Sequence, residues 1–264
     1  MNKKKKFQKA YHGFFNIYIL VVTAFISVLF FICCKPNTTS QTLLNQKYAP
    51  FTQIIQAQDS GYITKQKGLK FLLALKLTDT LNSFWNQAKY NDTIGKFYKN
   101  DNTDNYFICS IDLSKKYNFE THLVLEVDSN GKVLKKERFF HGNYPCCWNN
   151  YYEGFHKYGT FFGINTCGTG SGYCASYLYL FKELIPQKSQ NSIPESYWSS
   201  FGITQNLTSQ KELNNNQLIM HYKLEKGELD DNSDFIINET KTFDVRFYYK
   251  NKKWITTEKN KLVG

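Results

Sequence analysis

Between Phe14 and Cys34 lie 21 residues, of which Asn16 is the one strongly polar side chain. As a helix rising 1.5 Å per residue, this run spans about 30 Å, the hydrocarbon thickness of a bilayer. A helix apolar on every side belongs in lipid or in a large core. Lys3, Lys4, Lys5, Lys6 and Lys9 precede the run, and Lys35-Pro36 closes it. Basic residues stay on the cytoplasmic side of a membrane segment. The pattern places everything after residue 35 outside the cytoplasm. It divides the chain into a signal or anchor segment (1–35), a polar tether (36–60) and a single exported domain (61–264).

The basic stretch, the apolar stretch and the cysteines that end it resemble a bacterial lipoprotein signal. The resemblance covers the leader alone. It implies a lipidated cysteine that becomes the mature N-terminus, held at the cell envelope. That class places a small residue just before the cysteine. Ile32 precedes Cys33, whereas the smaller Cys33 precedes Cys34, so Cys34 is the favoured acceptor and Cys33 the second. An uncleaved signal anchor and an ordinary cleaved signal peptide are the other two readings of these residues.

The formal charge of +11 is partly a property of the leader, because six lysines of residues 1–35 contribute to it and about +5 remains beyond. That is too little for a nucleic-acid footprint, and no basic stripe with interleaved aromatics is present. No nucleic-acid partner and no cofactor are expected.

Leu69, Leu72, Leu73, Leu77, Leu81, Phe84 and Trp85 recur at three- and four-residue spacing and predict a helix over Thr64–Lys89. From about Asn105 the period becomes two. Strands are expected at Tyr106–Leu113, Thr121–Val127, Lys132–Phe140, Gly159–Thr166, Tyr173–Lys182, Gln217–Glu225, Phe243–Lys250 and Trp254–Thr257. Asp128-Ser-Asn-Gly131 between two of them is a hairpin turn signature. Residues 186–211 read as a polar connection, and 226–234 as an acidic loop. The expected fold class is α+β: a long helix packed on an antiparallel meander sheet.

Residues 139–174 hold the unusual chemistry, FFHGNYPCCWNNYYEGFHKYGTFFGINTCGTGSGYC. Cys146, Cys147, Cys167 and Cys174 are disulfide candidates in an exported protein. A hairpin loop between Cys167 and Cys174 would bring their sulfurs close, and the rival pairing joins Cys146 or Cys147 to either of them. Cys109, on an apolar strand, is the expected buried free thiol. The spacing of the four cysteines lacks the paired knuckles of a zinc site, so no metal ligand is assigned. Gly168-Thr-Gly-Ser-Gly172 is neither a nucleophile elbow nor a phosphate loop; it reads as a tight turn.

Catalytic residues are not evident. The function expected is a membrane-anchored extracytoplasmic protein of binding or structural type. Tyr144, Trp148, Tyr151, Tyr152, Phe155 and Tyr158 form a candidate aromatic surface for a peptide or carbohydrate. One alternative is a metal- or thiol-dependent hydrolase centred on Cys147 and Cys167 with His141 or His156 as base. Another is an envelope-anchored inhibitor or immunity-type protein.

Overall fold

Two antiparallel meanders, each in strict chain order, make up most of the described residues. The computed structural model describes residues 50–78, 93–112, 121–140 and 151–262. All belong to one compact unit that runs from Tyr48 to Gly264. The first sheet has five strands, β1 (Ser60–Thr64), β2 (Thr93–Lys99), β3 (Tyr106–Ile111), β4 (Thr121–Val127) and β5 (Val133–Phe140). The second has eight: β6 (Phe155–Tyr158), β7 (Phe161–Gly170), β8 (Tyr173–Phe181), β9 (Ile193–Ser199), β10 (Thr204–Asn214), β11 (Gln217–Leu229), β12 (Phe235–Lys250) and β13 (Lys253–Ile255).

The helix α1 (Lys65–Ala74) starts where Thr64 Oγ1 accepts from the Lys67 N–H at 3.4 Å. Gly68 costs helix propensity but permits close packing. A Cβ there would come within 2.4 Å of Ile94 Cδ1. The helix stops at Leu75, and Lys76 turns left-handed at φ +57°.

This architecture corrects the α+β expectation. The described residues are mostly β, in two sheets, and contain no long helix. The leucine spacing continues past Ala74, but the backbone leaves the helix there; residues 79–92 lie outside the described residues. The polar stretch 186–211 is also not a loop, since it supplies β9 and much of β10. Hydrogen bonding to flanking strands decides its conformation, not its own hydrophobic pattern. The acidic stretch 226–234 likewise shrinks to the five-residue link 230–234 between β11 and β12.

The first sheet is covered on both faces, which explains why all six residues of β3 are buried. On one face, Phe51, Ile54, Phe71 and Leu72 of the helical segments pack on Ile94, Ile108, Leu123 and Leu125. On the other face, Phe107, Cys109, Val124 and Phe139 meet Phe155, Phe162, Ile164 and Phe181 of the second sheet. Phe107 lies 4.4 Å from Phe162 and 5.6 Å from Phe181, ring centre to ring centre. The β4–β5 hairpin turns at Gly131, whose φ of +86° needs glycine. Asp128 Oδ1 accepts from the N–H groups of Asn130 and Lys132 and holds the turn.

The second sheet curls onto itself. Phe161, Leu178, Leu180 and Ile193 from its early strands share a core with Leu218, Met220, Tyr222, Val245, Phe247 and Trp254 from its late ones. The Phe161 ring is 5.0 Å from both Tyr249 and Trp254. Tyr222 Oη donates to the Pro194 carbonyl at 2.7 Å and ties β11 across the curl to β9. The strand ladder stays open, because β6 and β13 remain its two ends. The result is a cup with an apolar lining. Among the described residues, no helix is long and apolar enough to cross a membrane.

Candidate functional site

The cup opens at the end where the β6–β7 and β10–β11 turns meet. A cavity of about 550 Å³ lies there, with Phe161, Leu180, Leu213 and Leu218 as its apolar wall. Tyr158, Lys211 and Asn215 supply its polar groups. Each wall residue follows from strand alternation. In the β10–β11 register Leu213 faces Leu218 and Lys211 faces Met220, so Lys211 lies on the cavity side of β10 with Leu207, Ser209 and Leu213, while still exposed to solvent. Gly163 is required by the same wall: a Cβ there would meet Tyr158 Cε2 at 2.5 Å and Leu180 Cδ2 at 2.9 Å.

Lys211 Nζ lies 2.6 Å from Glu195 Oε1 of β9, and 5.3 Å from the centre of the Tyr158 ring. Burial pulls the Lys211 ammonium toward lower pKa, but the Glu195 carboxylate outweighs it and holds the group above the ordinary lysine value. Burial raises Tyr158, with Lys211 pulling the other way. Burial also raises Tyr222, helped by the Glu195 charge. His156, on β6, is lowered first by burial and then by the Lys96 and Lys211 charges, so its imidazole is held neutral. The cavity wall thus carries a closed ion pair, a protonated phenol and a neutral imidazole nearby. It can accept and donate hydrogen bonds, but it presents no excess charge.

The sequence candidates scatter. Tyr152 and Phe155 are buried, and Phe155 stacks in the core between the sheets. Tyr158 reaches the cavity. Tyr144, Trp148, Cys146, Cys147, His141 and the lipidation candidates Cys33 and Cys34 lie outside the described residues, as does the side chain of Tyr151. Cys167 stands opposite Ser176, and Cys174 opposite Thr169, so the two cysteines are diagonal neighbours on one hairpin. Diagonal pairs sit about 7–8 Å apart, beyond comfortable disulfide reach. Among the described residues no disulfide is formed.

His156 stands opposite Gly163. Cys167 is four residues further along β7, a separation of about 13 Å. These two are therefore not a nucleophile–base pair. Cys109 is a fully buried free thiol, and burial pushes its pKa far up, which suppresses the thiolate. Among the described residues no cluster of three or more His, Cys, Asp or Glu has metal-binding geometry.

Sequence reasoning missed Lys211 and Glu195, because both fall in the stretch that reads as a polar connection. The available signal was Leu207-x-Ser209-x-Lys211-x-Leu213, a period-two pattern with a lysine on its apolar side.

Comparison with protein-family models, with curated proteins and with solved structures returned no match.

Proposed function

We propose that this chain is a membrane-anchored extracytoplasmic binding protein. Its site is the mouth of the curled sheet, and its ligand is a small neutral amphiphile. The leader's lysines and apolar run support the anchoring. The observation that carries the binding reading is the cavity of about 550 Å³ with Phe161, Leu180, Leu213 and Leu218 on its wall. Ligand pockets typically have this size and this mix, mostly apolar with a few placed polar groups. The Lys211–Glu195 pair is internally neutral, so it favours an uncharged hydrogen-bonding end over a free anion or cation. The burial of Tyr152 and Phe155 turns the reading away from a broad aromatic platform for sugar.

The test is a titration with N-phenyl-1-naphthylamine, an uncharged apolar fluorophore, using the full chain in lipid nanodiscs. Leu213→Trp fills the cavity from a partly exposed position and shares the same lipid background. Saturable one-to-one binding in the parent that is lost in Leu213→Trp supports the reading. Equal signals from both, at unchanged thermal stability, would overturn it.

A further inference from the structure

β13, the terminal strand of the second sheet, is short, so for most of its length β12 forms that edge, and among the described residues no strand pairs with this side of it before Tyr248. β11 pairs with its other side from Phe235 to Tyr248, while β13 covers only Tyr248–Lys250. The C-terminal turn closes the adjoining stretch. The Arg246 N–H donates to Glu258 Oε2 at 2.8 Å, and Lys261 Nζ donates to the Asp244 carbonyl at 2.9 Å. Both bonds lie away from β11, so from Thr240 to Arg246 the even-numbered residues turn their backbone groups outward. The register shift at Lys226/Gly227 leaves Asn238 as a bulge, reverses the alternation over 235–237 and limits the free ladder to the residues about Thr240. From Ile236 to Thr242 every residue is exposed, and no described residue covers the edge.

We propose that a second copy of this chain occupies that edge, with β12 pairing antiparallel to β12 about a two-fold axis at Thr240. Among axes at residues 239, 240 and 241 the charges select this one. Opposite residues in an antiparallel pair share a face, and like charges directly opposite repel. With the axis at Thr240, Glu239 of each copy faces Lys241 of the other. With the axis at 239, Glu meets Glu; with the axis at 241, Lys meets Lys. A parallel in-register pairing also sets like against like. Axes between residues would oppose an outward-facing residue to an inward-facing one, which the ladder forbids. Thr240, even-numbered, would exchange two backbone hydrogen bonds with its own copy across the axis. An uncovered edge is a standing template for another strand. Here its two charges are self-complementary rather than uniformly repelling.

The experiment is sedimentation equilibrium of the full chain in a nonionic detergent. The parent should dimerise. Glu239→Lys alone and Lys241→Glu alone each create two like-charge contacts per dimer and should weaken self-association roughly tenfold. An equimolar mixture of these two variants should recover the parent affinity as a heterodimer, and the double swap should recover it as a homodimer. Thr240→Pro, tolerable in an edge strand whose N–H faces solvent, should abolish pairing without unfolding the monomer. A parent that stays monomeric at every concentration reached overturns the proposal. So do single variants that associate like the parent, or a mixture that fails to recover, because either places the contact elsewhere.

Discussion

Phe107→Ala probes the seam between the two sheets. The Phe107 ring has no solvent exposure, and it sits 4.4 Å from Phe162 and 5.6 Å from Phe181. Its removal deletes a fully buried ring and two cross-sheet aromatic contacts. Truncations of this kind cost about 3–5 kcal/mol, because the lost transfer energy and the cavity left behind add. For a unit of this length, each kcal/mol lowers Tm by about 2–4 °C, so a drop of roughly 6–20 °C is expected. The matched control is Phe140→Ala. Phe140 is 48% exposed, at the end of β5, and its truncation should stay within about 0.5 kcal/mol. The assay is denaturant or thermal unfolding of both variants and of Phe107→Ala/Phe162→Ala. The double variant should fall short of the sum of the singles by at least about 0.5 kcal/mol, since the rings share one contact. A cost for Phe107→Ala no larger than for Phe140→Ala, or strict additivity with Phe162→Ala, would refute the interdigitated seam.

Three further outcomes are expected. Gly227→Val should loosen the β11–β12 arm, because a Cβ there meets the Ile236 carbonyl oxygen at 1.9 Å and backbone cannot yield as a side chain can. Faster amide exchange across residues 226–239, with the cup amides unchanged, is the readout. His156 is depressed by burial and by Lys96 and Lys211, with the Tyr158 ring 6.0 Å away. Its contribution to stability is therefore present above the unfolded pKa of about 6.5 and is lost as pH falls through the lower folded value. His156→Gln should unfold with a flatter pH dependence there. Lys211 is raised, so its contribution is complete below the unfolded value of about 10.4 and is lost as pH rises through the folded one. Glu195→Gln should erase that alkaline loss and lower the Lys211 pKa, which NMR titration of the lysine side chain can follow.

Parts of the fold are legible because their physics is local. The β4–β5 hairpin follows from two period-two runs and a turn whose Gly131 adopts positive φ. β11 and the second half of β12 announce themselves by alternation, Leu218-Met220-Tyr222 and Phe243-Val245-Phe247, which the cup buries or half-buries. What the sequence hides is set by partners distant in the chain. β10 is polar at most positions and buries only Thr204; it is a strand because β9 and β11 flank it. The leucine spacing predicts a longer helix than forms, because it persists where Lys76 takes a left-handed turn. A single meander and two stacked meanders also share one chain order, so what distinguishes them is long-range packing such as Phe107 against Phe162 and Phe181. The site was hidden for the same reason as β10. Lys211 becomes a cavity-side lysine only once its strand is known, whereas Tyr158 was visible as one aromatic among many.

The most direct test of a ligand in the cup uses Trp254. Phe161 lines the cavity and packs 5.0 Å from Trp254, so a heavy-atom quencher in the cavity lies close to that indole. Titration of the full chain with a neutral brominated alkyl amide should quench part of the tryptophan emission saturably. Trp254→Phe should remove that quenched component, and Leu213→Trp should block access to it. Quenching that persists undiminished in Trp254→Phe, or none in the parent at saturating amide, would contradict a binding cavity at the mouth of the curled sheet.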